Sequence, residues 1–203
     1  MLITAAIGVL IFAAAAIIGI VCSDHICARI ERFADGPPPA KPRPFLIVTI
    51  MAVVGGFVAV HGFAPSVLAI GALAAFALAG CWYCDLARGI VPDFFTLFPL
   101  GFLVLYAVVE SEWRVVISAI VPFVPFAIAA AISRGRGMGW GDAKLVALGG
   151  AVLGVQSALV AFALSCLTAG VVSRVTGGRG TPIAFAPYLV GAVACALALG
   201  MYT

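Results

Sequence analysis

The strongest constraint on the fold is a long uncharged stretch in the first half of the chain. From Pro44 to Cys84 there is no Asp, Glu, Lys or Arg. A helix needs about 20 apolar residues to cross a bilayer, so this stretch is too long for one crossing. The segment His61–Pro65, which contains a glycine and a proline, interrupts it. The sequence therefore predicts two membrane spans here, Phe45–Val60 and Ser66–Cys84.

The composition extends this prediction to the whole chain. Of the 203 residues, 65% are hydrophobic and only 9% are charged, whereas a soluble domain is near half apolar and a quarter charged. We expect an all-α, polytopic membrane bundle of about six to seven transmembrane helices, forming a single domain over residues 1–203. The remaining clear spans are Leu2–Cys22, Phe94–Val109, Val115–Ile132 and Ile183–Met201, and a first loop is expected at 23–43.

One apolar run leaves two topologies open. Ala143–Ser173 is about one and a half times the usual length of a crossing. Glycines interrupt it, the last of them Gly154. Either the run is one long tilted helix, or a short helix ends at Gly154 and a full span begins at Gln156.

The placement of the basic residues favours the second topology. Cytoplasmic loops collect Lys and Arg. With the N-terminus outside and two passes in the ambiguous run, ten of the 11 basic residues lie inside and only Arg114 lies outside. With one pass, Arg174 and Arg179 move outside. In both topologies Asp85 and Asp142 lie at the same cytoplasmic face.

These two acids are the candidates for chemistry. A carboxylate at the membrane edge is costly and indicates function. Alternatively, Asp142 could be a cap or first-turn acid of the helix that it opens, and Asp85 could pair with Arg88. Asp142 follows three alternating glycines, Gly137, Gly139 and Gly141, which leave the backbone bare enough for another chain to approach. A third acid, Asp93, follows Pro92 and is predicted to cap a helix N-terminus.

Two neighbouring carboxyl groups can hydrolyse a peptide bond. They cannot easily both ionise, so they share a proton. The ionised group takes a proton from water while the protonated group donates to the scissile carbonyl. The sequence does not assign these roles to one acid or the other, because they belong to the pair.

Three ordered motifs resemble those of the type IV prepilin peptidases. Residues 137–145 (Gly-Met-Gly-Trp-Gly-Asp-Ala-Lys-Leu) resemble the family's Gly-x-Gly-x-Gly-Asp-x-Lys motif. Asp85-Leu86, followed by Ile90-Val91-Pro92-Asp93 and Thr96-Leu97, resembles its first catalytic motif. Residues 183–189 (Ile-Ala-Phe-Ala-Pro-Tyr-Leu) resemble its Pro-Phe-Gly-Pro-Phe-Leu segment.

The resemblance implies a membrane aspartic endopeptidase with Asp85 and Asp142 as its catalytic pair. It implies a catalytic core over about 66–201 and cleavage of prepilin-like membrane proteins at the cytoplasmic face of the bacterial inner membrane. No metal, cofactor or nucleic-acid partner is expected, and the oligomeric state is not defined. The motif residues expected to support substrate binding are Gly137, Gly139, Gly141, Lys144, Pro92 and Pro187.

The chain departs from the family pattern in two ways. Ala184 and Ala186 replace residues that are often Pro and Gly, a change expected to touch no carboxylate. The loop 23–43 is too short for the domain with two Cys-x-x-Cys pairs that larger members carry, so N-methylation is not predicted. The small size resembles the compact members that serve tight-adherence (Flp) pili.

Other functions would use the same residues differently. A non-enzymatic transporter or pilus-assembly subunit could bind cations with the acids, but it would favour acids near mid-membrane and an internal repeat. A different Gly-x-Gly-Asp protease would not need the segment 183–189. A zinc site formed by Cys22, Cys27, Cys81 and Cys84 is disfavoured, because buried cysteine is common and no second close pair exists.

Overall fold

The computed structural model describes residues 1–29, 42–62, 64–133, 138–175 and 184–202. These residues form eight α-helices, and no strand occurs among them. The helices are α1 (Leu2–Arg29), α2 (Pro44–His61), α3 (Pro65–Arg88), α4 (Asp93–Val109), α5 (Trp113–Ser133), α6 (Trp140–Leu153), α7 (Val155–Val175) and α8 (Ala186–Ala198). The predicted all-α fold is confirmed.

Most of the helices have the length and apolar character of membrane spans. Among those described, α1, α2, α3, α5 and α7 are long and apolar enough to cross a bilayer, and α4 and α8 are shorter apolar helices. Large side chains such as Leu105, Ile132 and Leu167 are exposed on their outer faces. Since water would penalise such a surface and lipid does not, the chain is a multi-pass membrane protein.

Helix α1 continues past the predicted start of the first loop. Residues 23–29, predicted to be loop, form its last two turns. The Ser23 hydroxyl donates to the carbonyl oxygens of Gly19 at 2.7 Å and Gly80 at 3.2 Å. At the next residue of α1, Asp24 Oδ1 accepts a hydrogen bond of 2.5 Å from the Tyr83 hydroxyl. These contacts with α3 satisfy the polar side chains on the helix, so packing extends α1 beyond the apolar segment.

The ambiguous run is divided at Gly154, where the chain reverses. Gly154 has φ +79°, a backbone conformation that glycine adopts without strain. The ring of Phe162 on α7 packs against Gly149 on α6, where an added Cβ would lie 2.8 Å from the ring. Residues on both sides of Gly154 therefore face each other, and α6 and α7 form an antiparallel hairpin. This agrees with the two-pass topology rather than one long helix.

Glycines set the closest helix contacts in the bundle. A Cβ built on Gly8 of α1 would lie 2.2 Å from the carbonyl oxygen of Gly55 in α2. A Cβ on Gly150 of α6 would lie 2.2 Å from the carbonyl oxygen of Ser118 in α5. Small residues let helix backbones approach in this way, and dispersion contacts then stabilise the pair in lipid.

The Gly150→Ala variant is expected to lower the melting temperature of the protein in detergent micelles. Its Cβ would collide with backbone rather than with a flexible side chain, so α5 and α6 must separate, at a cost of about 1–3 kcal/mol. Gly170→Ala is the matched control, since an added Cβ on Gly170 of α7 meets nothing within 4 Å. Alanine is the better helix former, so the control should be neutral or stabilising. A Gly150→Ala protein as stable as this control would contradict the packing argument.

Several helix ends converge at one end of the bundle. The last turn of α3 leads through residues 89–92 into α4. The first turn of α6 lies against this connection, because Gly141 packs on Val91. The first residue of α8, Ala186, is hydrogen-bonded to Asp85 in the last turn of α3. The chain thereby gathers its three sequence motifs in one place.

Candidate active site

Asp85 is held in the last turn of α3. It is 6% exposed. Its Oδ2 accepts a hydrogen bond of 3.0 Å from the backbone N–H of Ala186. Helix α3 ends at Gly89, which has φ +71° and whose N–H donates to the Asp85 carbonyl oxygen at 2.8 Å. This left-handed glycine stops the helix one turn after Asp85 and directs the chain away from the carboxyl group.

The hydrogen bond from Ala186 is a contact that the sequence did not predict. It is made by the backbone N–H, which is present whichever residue other than proline occupies the site, so the replacement at this position leaves it in place. Because Ala186 opens α8, the N-terminal dipole of that helix also favours negative charge on Asp85.

Asp142 occupies the first turn of α6. Its Oδ2 accepts a hydrogen bond of 3.3 Å from the N–H of Gly139, the residue that precedes the helix. The side chain is half-buried. Burial raises the pKa of Asp142 from its ordinary value of 3.8 to about 6, and the hydrogen bond from Gly139 opposes this shift. The carboxyl group is therefore poised to change protonation near neutral pH.

The two carboxyl groups are close enough to interact electrostatically. Helices α3 and α6, which carry them, are in contact, and Gly141, the residue before Asp142, packs on Val91 in the connection that follows α3. In a poorly solvated site, repulsion between two such groups favours the state that holds one shared proton. The structure thus brings together the two acids that the sequence singled out.

Lys144 and Asp93 form a pair beside this site. Lys144 Nζ lies 2.6 Å from Asp93 Oδ1, and this ion pair joins α6 to α4. Asp93 was predicted to be an N-cap, which is wrong: it is the first residue of α4, Pro92 precedes the helix, and no side-chain cap bond forms there. The Asp93 carboxylate forms the ion pair with Lys144 instead of capping the helix. The lysine of the motif therefore helps to hold α6 against α4 through its ion pair with Asp93.

The glycines next to Asp142 have different surroundings. A Cβ on Gly141 would lie 2.7 Å from Val91 Cβ and 3.0 Å from the Val91 carbonyl oxygen. The space left by this glycine is filled by the protein's own α3–α4 connection, not left open for a substrate. A Cβ on Gly139 would lie at ordinary contact distance from the Asp142 carboxylate, 3.4 Å, and from the Gly141 nitrogen, 3.9 Å. Gly137 lies outside the described residues.

A cluster of aromatic rings fixes the corner between α3 and α4. Phe95 is fully buried and packs on Gly80, where an added Cβ would lie 2.5 Å from the ring. Its ring centroid is 5.4 Å from that of Phe76 and 5.3 Å from that of Phe94. Pro92 immediately precedes this cluster. The packing holds the start of α4 against α3.

Pro187 lies in the first turn of α8, directly after the residue that contacts Asp85. Proline suits this position because its missing N–H would have no partner inside the helix. It also lines a cavity of about 430 Å³ between α7 and α8, with Tyr188 and Gly191. The third motif thus directs the start of α8 toward Asp85.

The cysteines form a contact rather than a metal site. Cys27 Sγ and Cys84 Sγ lie 2.7 Å apart, joining the ends of α1 and α3. In the described parts of the chain, no group of three or more His, Cys, Asp or Glu side chains is arranged to hold a metal ion.

The Asp142 carboxyl group predicts how stability depends on pH. Because its pKa is higher in the folded protein than its ordinary value, the protonated form is favoured by folding. This contribution is fully present below about pH 3.8 and is lost as the pH rises through about 6. Wild type should therefore lose stability relative to Asp142→Asn across this window, measured as the difference in melting temperature at pH 4 and pH 8. A difference that is independent of pH would contradict the assigned shift.

The fold and the site together define a class: an all-helical, multi-pass membrane protein with two interacting carboxyl groups at one end of its bundle. The sequence profile of the type IV leader peptidase family matches residues 72–174, just over half of the chain. The chain belongs to this family. The matched segment runs from α3 to α7 and includes both Asp85 and Asp142. Comparison with curated proteins and with solved structures produced no significant match.

The family gives the protein its general activity. It is a membrane-embedded peptidase of the type IV leader peptidase kind, and its substrate is a membrane protein. Sequence reasoning missed one element of the site, the backbone N–H of Ala186. The only signal that could have indicated it was the position of the segment 183–189 at the start of the last helix.

Proposed function

We propose that the protein is an aspartic endopeptidase in which Asp85 and Asp142 share one proton. The observation that carries this proposal is that the two carboxyl groups come from different helices, α3 and α6, which are in contact and bring them to one end of the bundle. Each acid is held by a backbone N–H, that of Ala186 or that of Gly139. Neither carboxyl group forms an ion pair with a described basic residue, so the pair is free to exchange its proton.

The reaction is a hydrolysis that needs only water. The ionised carboxylate removes a proton from a water molecule, whose oxygen attacks the carbonyl carbon of the scissile bond. The protonated carboxyl group gives its proton to the carbonyl oxygen, forming a neutral tetrahedral diol. The diol collapses, the C–N bond breaks, and the leaving nitrogen takes up a proton from the pair. The products are a free carboxyl group and a new N-terminal amine.

The substrates are prepilin-like proteins of the tight-adherence (Flp) type, cut between a basic leader and an apolar helix on the cytoplasmic side of the bacterial inner membrane. Family membership supports a leader peptide as the segment removed. The acidic pair suits a basic leader by charge, and the exposed apolar helices suit a substrate that approaches through the bilayer. The positive-inside distribution of Lys and Arg supports the cytoplasmic face.

Cleavage by the purified protein tests this function. The protein in lipid nanodiscs is incubated with a full-length Flp prepilin, and the products are identified by intact mass spectrometry. We expect one cut at the junction of leader and apolar helix. A control substrate has its leader lysines and arginines replaced by glutamines, and its kcat/KM should fall. Absence of cleavage of the native prepilin, or cutting inside the apolar helix, would overturn the proposal.

A further inference from the structure

A second cavity lies at the opposite end of the bundle from the two acids. Its volume is about 380 Å³, and it is bounded by the start of α5, the Gly154 turn between α6 and α7, and the residues after α8. Helix α6 begins near Asp142 and ends at this cavity. With 14 residues and a rise of about 1.5 Å per residue, α6 places the two sites about 20 Å apart. The second cavity is therefore separate from the candidate active site.

The polar side chains on its wall can all donate hydrogen bonds. They are Arg114, Ser118, Gln156, Ser157 and Tyr202. Within the described parts of the chain, none of these side chains has a hydrogen-bond or ion-pair partner. The acids nearest in sequence, Glu110 and Glu112, do not line the cavity. Several unused donors and one positive charge thus face a single space.

Ser118 shows that the space is suited to a polar ligand. The residue is only 3% exposed, and its hydroxyl has no partner among the described residues. No fully enclosed side-chain oxygen or nitrogen in the described parts lacks a partner, so this hydroxyl is not fully enclosed, and Ser118 is one of the residues that line the cavity. A ligand oxygen that enters this space can therefore accept a hydrogen bond from the Ser118 hydroxyl, shielded from bulk water by the residues around it.

The backbone adds further donors. Helix α7 begins at Val155, next to the cavity, and the N–H groups of its first turn include those of Val155, Gln156 and Ser157. These groups have no partner inside their own helix, and the helix dipole makes this end positive. Together with Arg114 they form a surface that attracts an anion with several oxygen atoms.

The position of the cavity relative to the membrane surface indicates which anion is available to it. Trp113, 60% exposed, begins α5 beside Arg114, and Tyr202 closes the other side. Tryptophan and tyrosine concentrate where membrane meets water, at the level of the lipid headgroups. We propose that this cavity binds a phosphate group, carried by an anionic phospholipid, with Arg114 as the ionic contact and the Ser118 hydroxyl as a buried donor.

Lipid binding measured by native mass spectrometry tests the site. The purified protein in detergent micelles is titrated with dioleoylphosphatidylglycerol, with dioleoylglycerol, which has the same chains but no phosphate, and with inorganic phosphate. Wild type should bind the phospholipid more tightly than the diacylglycerol. Arg114→Gln should weaken phospholipid binding about tenfold, since a charge-assisted hydrogen bond is lost. Arg174→Gln, at the other end of α7, is the matched control and should bind as wild type does.

Ser118→Ala separates ligand binding from folding. Because the hydroxyl has no partner inside the described protein, its removal should leave the melting temperature without lipid unchanged or raised, yet weaken phospholipid binding about fivefold. Arg114-dependent binding of inorganic phosphate as tight as that of phospholipid would support the site and identify free phosphate as its ligand. Phospholipid binding unaffected by both variants, or diacylglycerol binding as tight as that of phospholipid, would overturn the proposal.

Discussion

Replacement of Asp142 by asparagine is expected to lower the rate of leader cleavage by about 1,000-fold, and Asp85→Asn is expected to do the same. General acid–base catalysis contributes about 100- to 10,000-fold in enzymes, and each variant removes one of the two groups that exchange the proton. Asparagine keeps the shape and can still accept the hydrogen bond from Gly139 or Ala186. The loss should therefore fall on the rate of the chemical step, measured as single-turnover cleavage of a prepilin in nanodiscs.

Asp93→Asn is the matched control for these variants. Asp93 carries the same functional group at the same end of the bundle, but it is exposed and paired with Lys144. Exposed ion pairs contribute about 0–1 kcal/mol, so the rate should change by no more than a few-fold. Equal losses in all three variants would indicate a structural effect of charge removal rather than a catalytic pair.

The double variant Asp85→Asn/Asp142→Asn should be no slower than either single variant. Two groups that share one proton act as a unit, so removing the second costs little once the first is absent. If the losses multiply instead, the acids act independently and the shared-proton mechanism fails. Full processing by either single variant would exclude that acid from catalysis.

Hydropathy and charge placement predicted most of the architecture. A helix in lipid must be apolar over its whole length, so the spans are visible in the sequence as uncharged runs. The glycines left this run open as one helix or two, and the placement of Lys and Arg favoured the division at Gly154 that the structure has. Asp85 and Asp142 could be placed at one end of the bundle because each adjoins a predicted span end.

The remaining features depend on contacts between distant segments. The extension of α1 to Arg29 comes from the packing of Ser23 on α3, which no local pattern near Ser23 indicates. The Ala186 N–H at Asp85 is a backbone group and carries no signature in the side-chain sequence. Asp93 pairs with Lys144, which is 51 residues away in the sequence, and does not cap α4. The residues next to Asp93 do not indicate this pairing.

Gly141→Ala is expected to lower kcat/KM for leader cleavage by about 100-fold while leaving the bundle folded. Its Cβ would lie 3.0 Å from the Val91 carbonyl oxygen and 2.7 Å from Val91 Cβ, so the α3–α4 connection or the start of α6 must shift. Asp142 is the next residue, and Val91 lies in the short connection after Asp85. A displacement of about 1 Å between reacting groups can cost about 100-fold in rate.

Gly101→Ala provides the comparison, because an added Cβ on Gly101 in α4 meets nothing within 4 Å. It should cleave at the wild-type rate. Val91→Gly combined with Gly141→Ala should recover part of the lost rate, since the closest of the two contacts is with the Val91 side chain. Rescue of this kind would show that the motif glycine acts by allowing the segments that carry the two acids to pack together. If Gly141→Ala leaves kcat/KM unchanged, catalysis does not depend on close packing between the segments that carry the two acids. That result would contradict the proposal of a closely held pair.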